Sequence, residues 1–237
     1  MTNRNNKIGI LDSGIGGTTT LNEIRKFLPN EDFIYYADTK NNPYGNKSDE
    51  ELYEIVKNIV NFFIKKEVKL IVIACNTATT KCITKLRENY RNIPFIGTEP
   101  AIKVASDNNY KNTLVLATPG TIKSERTQEL VENNKKSNQN IYLLPCEYLA
   151  NAIEKNDNIK IDSLLNEYLT PYKDKNIDSI VLGCTHYPLI KDKIQSYFKD
   201  AVIIDGNIGV AKRVKYILET NNLLANNKGN IEYIQTK

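Results

Sequence analysis

Tryptophan is absent from this 237-residue chain, and histidine occurs once. The lack of Trp, beside abundant Asn, Lys and Ile, reads as nucleotide composition bias and carries no functional meaning. No apolar run approaches the length that crosses a bilayer. The polar residues ahead of Ile8 hold no apolar core of a secretion signal, so no membrane partner is expected. The four cysteines show no C-x-x-C spacing, which argues against a zinc knuckle or a disulfide scaffold. Free thiols fit a reducing cytoplasm. The net charge is +4, but Lys and Arg are scattered. Nucleic-acid binding would want a clustered basic face, and none is present.

What is present is an ordinary globular composition, 41% hydrophobic and 25% charged. The length suits one large domain or two small ones. Short apolar runs alternate with helical patterns. Ile8–Leu11 reads as a strand, and Asp12-Ser13-Gly14-Ile15-Gly16-Gly17 as its turn. A helical pattern through Leu21, Ile24 and Leu28 follows, closed by Pro29. The glycines suggest a dinucleotide fingerprint only weakly, because no acidic residue is clearly placed about 20 positions on. Phe33–Ala37 is a second strand, leading into a polar loop with Asn42-Pro43-Tyr44-Gly45. Loops at strand carboxyl ends are where open α/β sheets bind ligands, although a plain Pro-Gly turn explains the same residues. Ser48 and Glu51 open a long helix as a capping box. Its stripe is Leu52, Ile55, Val56, Ile59, Phe62 and Phe63.

The most telling stretch occurs twice. Ile71-Val72-Ile73-Ala74-Cys75-Asn76-Thr77 and Ile180-Val181-Leu182-Gly183-Cys184-Thr185-His186 are both apolar runs ending in cysteine. They lie 109 positions apart. At that offset Gly97 meets Gly206 and Lys103 meets Lys212. At 106, Gly14 meets Gly120 and Glu23 meets Glu129, while Asp38 or Thr39 falls near Glu147. Strand, turn and helix recur in the same order. The expectation is an α/β fold of two similar lobes with parallel sheets. Residues 1–97 with 207–237 form the first lobe and 98–206 the second. If a pseudo-twofold axis relates them, both cysteines reach one cleft. The tail at 231–234 reads as an edge strand.

Two opposed thiols suit one reaction above others. Inverting a carbon that bears a hydrogen needs a base on each face, one starting as thiolate and the other as thiol. Each cysteine precedes a predicted helix, whose N–H groups and dipole favour a thiolate and can hold a substrate carboxylate. Asn76-Thr77 is read as the cap of the helix after Cys75. Ser13, Asn76, Thr77 and Thr185 offer hydrogen bonds. Asp12 can bind an ammonium or relay a proton to Cys75, and His186 can do the same for Cys184. Thr118 and Thr121, in the turn after 113–117, are further candidate contacts. A lone cysteine at a strand end is more often a small core residue; Cys82, seven positions after Cys75, is read that way.

With these motifs in view, the chain resembles the cofactor-independent glutamate racemases. Asp12 to Gly17, Pro43-Tyr44-Gly45, Cys75-Asn76-Thr77-Ala78 and Gly183-Cys184-Thr185-His186-Tyr187-Pro188-Leu189 carry the resemblance. It runs from about Lys7 to about Lys212. The resemblance implies two flavodoxin-like lobes with glutamate between them, and Cys75 and Cys184 as the acid/base pair. It implies substrate contacts from Asp12, Ser13, Tyr44, Gly45, Asn76, Thr77, Thr185 and His186. It implies no pyridoxal phosphate and no metal, D-glutamate destined for peptidoglycan, and a homodimer. Members also carry an acidic residue assisting the second cysteine, and Glu147 is the candidate. The residues ahead of Ile8 are too few for the extension of members activated by a cell-wall precursor, so such regulation is not expected. Two alternatives stand beside this reading: an aspartate racemase of the same superfamily, and an inactive amino-acid-binding protein.

Overall fold

The computed structural model describes residues 3–237. They divide into two compact units, one running through Thr98 and resuming at Asn207–Lys237, the other continuous over Glu99–Gly206.

In the first unit the chain runs β1 (Ile8–Asp12), α1 (Thr18–Phe27), β2 (Phe33–Ala37), α2 (Asp49–Lys65), β3 (Leu70–Ile73), α3 (Asn76–Asn89) and β4 (Phe95–Gly97). In the second it runs α4 (Ile102–Asp107), β5 (Asn112–Ala117), α5 (Pro119–Ile122), α6 (Glu125–Asn134), β6 (Asn140–Pro145), α7 (Leu149–Glu154), α8 (Asn158–Leu169), β7 (Ser179–Gly183), α9 (Lys191–Tyr197) and β8 (Val202–Asp205). It then re-enters the first unit as α10 (Asn207–Thr220) and β9 (Ile231–Gln235).

Both sheets are parallel. The first has the order β4-β3-β1-β2-β9 and the second the order β6-β5-β7-β8. Matched by sequence order within each unit, β4-β3-β1-β2 and β8-β7-β5-β6 are one topology used twice. The duplication read from the sequence is therefore present in the strand order. The fifth strand, β9, has no counterpart in the second sheet among the described residues. It forms an edge beside β2, as its residues suggest.

Strand periodicity explains why both faces carry helices. Ile8 and Ile10 of β1 pack with Leu21 and Ile24 of α1 and with Val210, Val214 and Leu218 of α10. Leu11 and its same-face neighbours Ile34, Ile71 and Ile73 pack with Val56 and Phe63 of α2 and Cys82 and Leu86 of α3. In the second unit Leu114, Leu116, Ile180 and Leu182 pack with Leu149 of α7 and Leu164 of α8. Val115 and Val181 meet Ile102 and Ala105 of α4. The helix after β4 thus serves the second unit, and the helix after β8 serves the first. Loops at the carboxyl ends of these strands carry almost every residue singled out above. That follows from the fold, since the βα turns are where a doubly wound sheet leaves backbone unpaired.

Ser48 caps α2 as read, its hydroxyl accepting the Glu51 N–H at 3.1 Å. The Glu51 carboxylate is taken by Lys47 at 2.7 Å. At α3 the reading needs correction. Cys75 itself is the cap residue, and Asn76 already begins the helix. After Cys184 no α-helix starts at once. A single 3-10 turn, Tyr187–Ile190, comes first, and α9 begins only at Lys191. The dipole argument therefore applies directly to Cys75 and much less to Cys184.

Candidate active site

The first unit presents Asp12, Ser13, Tyr44, Cys75, Asn76 and Thr77, all buried. Asp12 ends β1 and is fully buried. Its Oδ2 accepts the N–H of Gly14 at 3.2 Å and of Gly17 at 2.9 Å. A Cβ on Gly17 would lie 2.6 Å from Asp12 Cβ and 2.9 Å from the Tyr35 hydroxyl. The glycine turn therefore serves to cradle a carboxylate with backbone N–H groups, and no dinucleotide is needed to explain it. Tyr35 fastens the turn by donating to the Gly14 carbonyl at 2.7 Å.

Cys75 follows β3 and is 6% exposed. Its carbonyl accepts the first helical N–H, from Thr79, at 2.9 Å. Asn76 Oδ1 is buried and accepts no hydrogen bond from any described residue. Such an atom costs about 1–3 kcal/mol unless something donates to it. Tyr44 packs in the same apolar cluster as Cys75 and Ala78. Burial first, then the charge and hydrogen bond of Asp38, push its phenol far above the ordinary range; Cys75 and Asp12 add to this. Gly45 lies beside it in the short turn Tyr44–Asn46.

The second unit is built differently. Cys184 follows β7 and is 7% exposed. His186 is 1% exposed, and its Nδ1 lies 3.8 Å from Cys184 Sγ and 3.5 Å from Thr185 Oγ1. Its Nε2 lies 2.6 Å from Glu154 Oε2, on α7. A neutral imidazole donating Nε2–H to that carboxylate keeps its Nδ1 lone pair toward the sulfur. The arrangement can accept the Cys184 proton and return it. Thr118 caps α5, accepting the Thr121 N–H at 3.3 Å and donating to the Thr121 hydroxyl at 3.0 Å.

Glu147 does not occupy this relay. It is exposed, and the fold uses its carbonyl, which accepts the Tyr168 hydroxyl at 2.9 Å. The carboxylate on His186 comes from Glu154, which sequence reasoning missed. The signal was there: Leu149, Ala152 and Ile153 have the spacing of one helix face, and all three are buried.

The family pattern described as Asp/Glu/hydantoin racemase matches residues 30–212. A glutamate racemase of Clostridium botulinum (strain Alaska E43 / Type E3) is 41% identical over 242 aligned positions. That alignment spans 100% of this chain and 93% of the relative. This chain belongs to the Asp/Glu/hydantoin racemase family. Among solved structures, a glutamate racemase isoform of Bacillus anthracis aligns with a TM-score of 0.85 at 31% identity, over 98% of this chain and 88% of that one. The glutamate racemase of Francisella tularensis subsp. tularensis SCHU S4, solved in complex with D-glutamate, aligns at 0.84 and 34% identity, over 99% and 89%.

Within this racemase, the remaining cysteines belong to the cores. Cys82 is fully buried among α2 and α3 side chains, and burial pushes its thiol up to about 12. Cys146 lies in the core beside Cys184, and burial raises its thiol still further. Its carbonyl accepts the Tyr187 hydroxyl at 3.3 Å.

Proposed function

We propose that this protein is a glutamate racemase that exchanges the Cα proton between two thiols, Cys75 and Cys184, acting on opposite faces of the carbon. The observation that carries the reading is the chain from buried Cys184 and His186 to half-buried Glu154, with 3.8 and 2.6 Å steps. A thiol beside an oriented imidazole is how a sulfur is made to give up and take back a proton. On the other side, Cys75 stands at the N-terminus of α3, near a carboxylate held by backbone N–H groups.

In one direction Cys75 takes the proton as thiolate and Cys184 delivers one as thiol; in the other the roles reverse. When Cys184 is to act as the base, His186 takes its proton and Glu154 steadies the imidazolium; when Cys184 is the acid, it keeps its proton and the imidazole is neutral. Asp12 takes the substrate ammonium or the Cys75 proton. Asn76 Oδ1 accepts from the ammonium, and Ser13, Gly45, Thr77, Thr118, Thr121 and Thr185 complete the hydrogen bonds. The unit that runs through Thr98 and resumes at Asn207 is the lobe of Cys75, and Glu99–Gly206 is the lobe of Cys184, one residue later than the sequence boundary of 97/98. The product would supply peptidoglycan synthesis in the cytoplasm, from a homodimer. Glutamate is preferred over aspartate because the named relatives that align over nearly the whole chain are glutamate racemases.

The test is incubation with L-glutamate in heavy water, without added cofactor. D-Glutamate carrying deuterium at Cα is expected, with L-aspartate much slower. Cys75→Ala and Cys184→Ala should each abolish racemisation. Full activity in either variant would sink the two-thiol reading, and glutamate binding without Cα exchange would favour an inactive binding protein.

A further inference from the structure

Among the described residues, the one strand of the first unit that the duplication does not account for is β9, and the residue after it reaches into the substrate loop. The loop is Thr39 to Asn46, which carries Tyr44 and Gly45. Its anchor is Asp38, 1% exposed at the end of β2. Asp38 Oδ2 accepts the Tyr44 hydroxyl at 2.7 Å. Asn41 Nδ2 donates to both carboxylate oxygens, at 3.0 and 2.9 Å. The remaining partner of Oδ1 is the Thr236 hydroxyl, at 3.0 Å.

Thr236 is tied on every side. Its N–H donates to the Ala37 carbonyl at 3.0 Å, extending the β2–β9 ladder by one bond. Its carbonyl accepts the Thr39 hydroxyl. Its own hydroxyl accepts the Lys40 N–H at 2.9 Å. The Asp38 carboxylate can only accept, which settles where the hydroxyl proton goes. With a lone pair committed to Lys40, the O–H is aimed at Asp38. A carboxylate this deeply buried must have its oxygens fully engaged, and the same carboxylate orients Tyr44.

We propose that Thr236 is a positioning residue for the substrate loop. It locks Asp38 in the rotamer that holds the Tyr44 hydroxyl, and it pins the loop's first turn at Lys40. The substrate part of this rests on the racemase reading above. The loop part does not. Among the described residues the second sheet has no strand at the corresponding edge and so no equivalent of this lock, which makes it a device of the Cys75 side.

The experiment compares Thr236→Val, Thr236→Ala and Thr236→Ser with the wild type in two measurements. Peptide-level hydrogen exchange without substrate should show residues 38–47 of T236V and T236A exchanging about tenfold faster or more, with β1, β2 and β3 unchanged and T236S near wild type. Racemisation should show KM for glutamate raised about three- to tenfold in T236V and T236A, kcat changed less than about twofold, and T236S restored. Added to Tyr44→Phe, the Thr236→Val change should raise KM by less than about 1.5-fold, since both act through Asp38. Unchanged exchange in 38–47, loosening spread over the whole first sheet, or full additivity with Tyr44→Phe would each overturn the proposal. If the wild type fails to racemise glutamate, the racemase reading falls, while the exchange measurement still judges the lock.

Discussion

Asp38 and Cys146 hold the same place in two different sheets. The Asp38 N–H donates to the Asp12 carbonyl at 2.9 Å, and the Cys146 N–H donates to the Ala117 carbonyl at 2.8 Å. Each bond seals the carboxyl end of the first strand of its sheet. By the same registers Asp12 stands where Ala117 does. The second unit therefore lacks both acids of the first and draws its carboxylate from a helix, as Glu154 on His186. One topology has been given two different proton environments.

Glu154→Gln separates the geometric assignment from the one made on sequence. The amide keeps the volume and loses the charge that steadies the imidazole. Steady-state racemisation should fall about 10- to 100-fold in kcat, at or below the low end of a direct general acid/base contribution, as suits a group that acts through His186. Glu147→Gln should stay within about twofold of wild type. The reverse ranking would return the role to Glu147.

Gly17→Ala tests the cradle of Asp12. The added methyl would sit 2.6 Å from Asp12 Cβ, so the carboxylate or the turn must move. Overpacking of this kind costs about 1–3 kcal/mol. Thermal unfolding should shift down accordingly, and kcat should fall more than the stability loss alone explains. An unchanged melting temperature with full activity would show that the turn yields freely.

Cys82 makes a prediction about alkaline stability. Its thiol is pushed up to about 12 from an ordinary value of 9.0. Below pH 9 both folded and unfolded chains keep the proton, and the contribution is fully present. Above it the unfolded chain releases the proton while the native core retains it, so stability declines as pH climbs toward 12. The slope is about 1.4 kcal/mol per pH unit for each such thiol. Urea unfolding between pH 8 and 10.5 should show a loss about that much shallower in Cys82→Ala than in the wild type. Identical slopes would show that the Cys82 thiol ionises as readily in the native core as in the unfolded chain.

The architecture was legible because its signals are local. Apolar runs of four to six residues between helical stripes specify buried parallel strands, and a cysteine at the end of each third strand marks equivalent points. What escaped was set by register. Ile8 pairs with Leu70 and Thr113 with Ser179, so the first strands align at an offset of 105, not 106. Gly97 pairs with Ile73 and Asp205 with Leu182, so Gly97 answers to Asp205, not Gly206. Small slips of this kind arise in loops, which tolerate insertions, and they moved Glu147 opposite Asp38. Glu154 stayed hidden because α7 is a six-residue helix entered through Tyr148 in a left-handed conformation. Proximity in sequence favoured Glu147, whereas the carboxylate in contact with His186 is that of Glu154.

The exchange of helices between the units bears on how the chain is made. The second unit is one unbroken stretch, but the first is complete only when α10 has been synthesised. Until then the face bearing Ile8, Ile10, Leu70 and Val72 lacks half of its cover. A chain emerging from the ribosome must keep that face waiting for more than one hundred residues, while the later unit can close first. The half that begins the chain is the half whose cover is synthesised last, and an open apolar sheet face is a place where aggregation can compete with assembly.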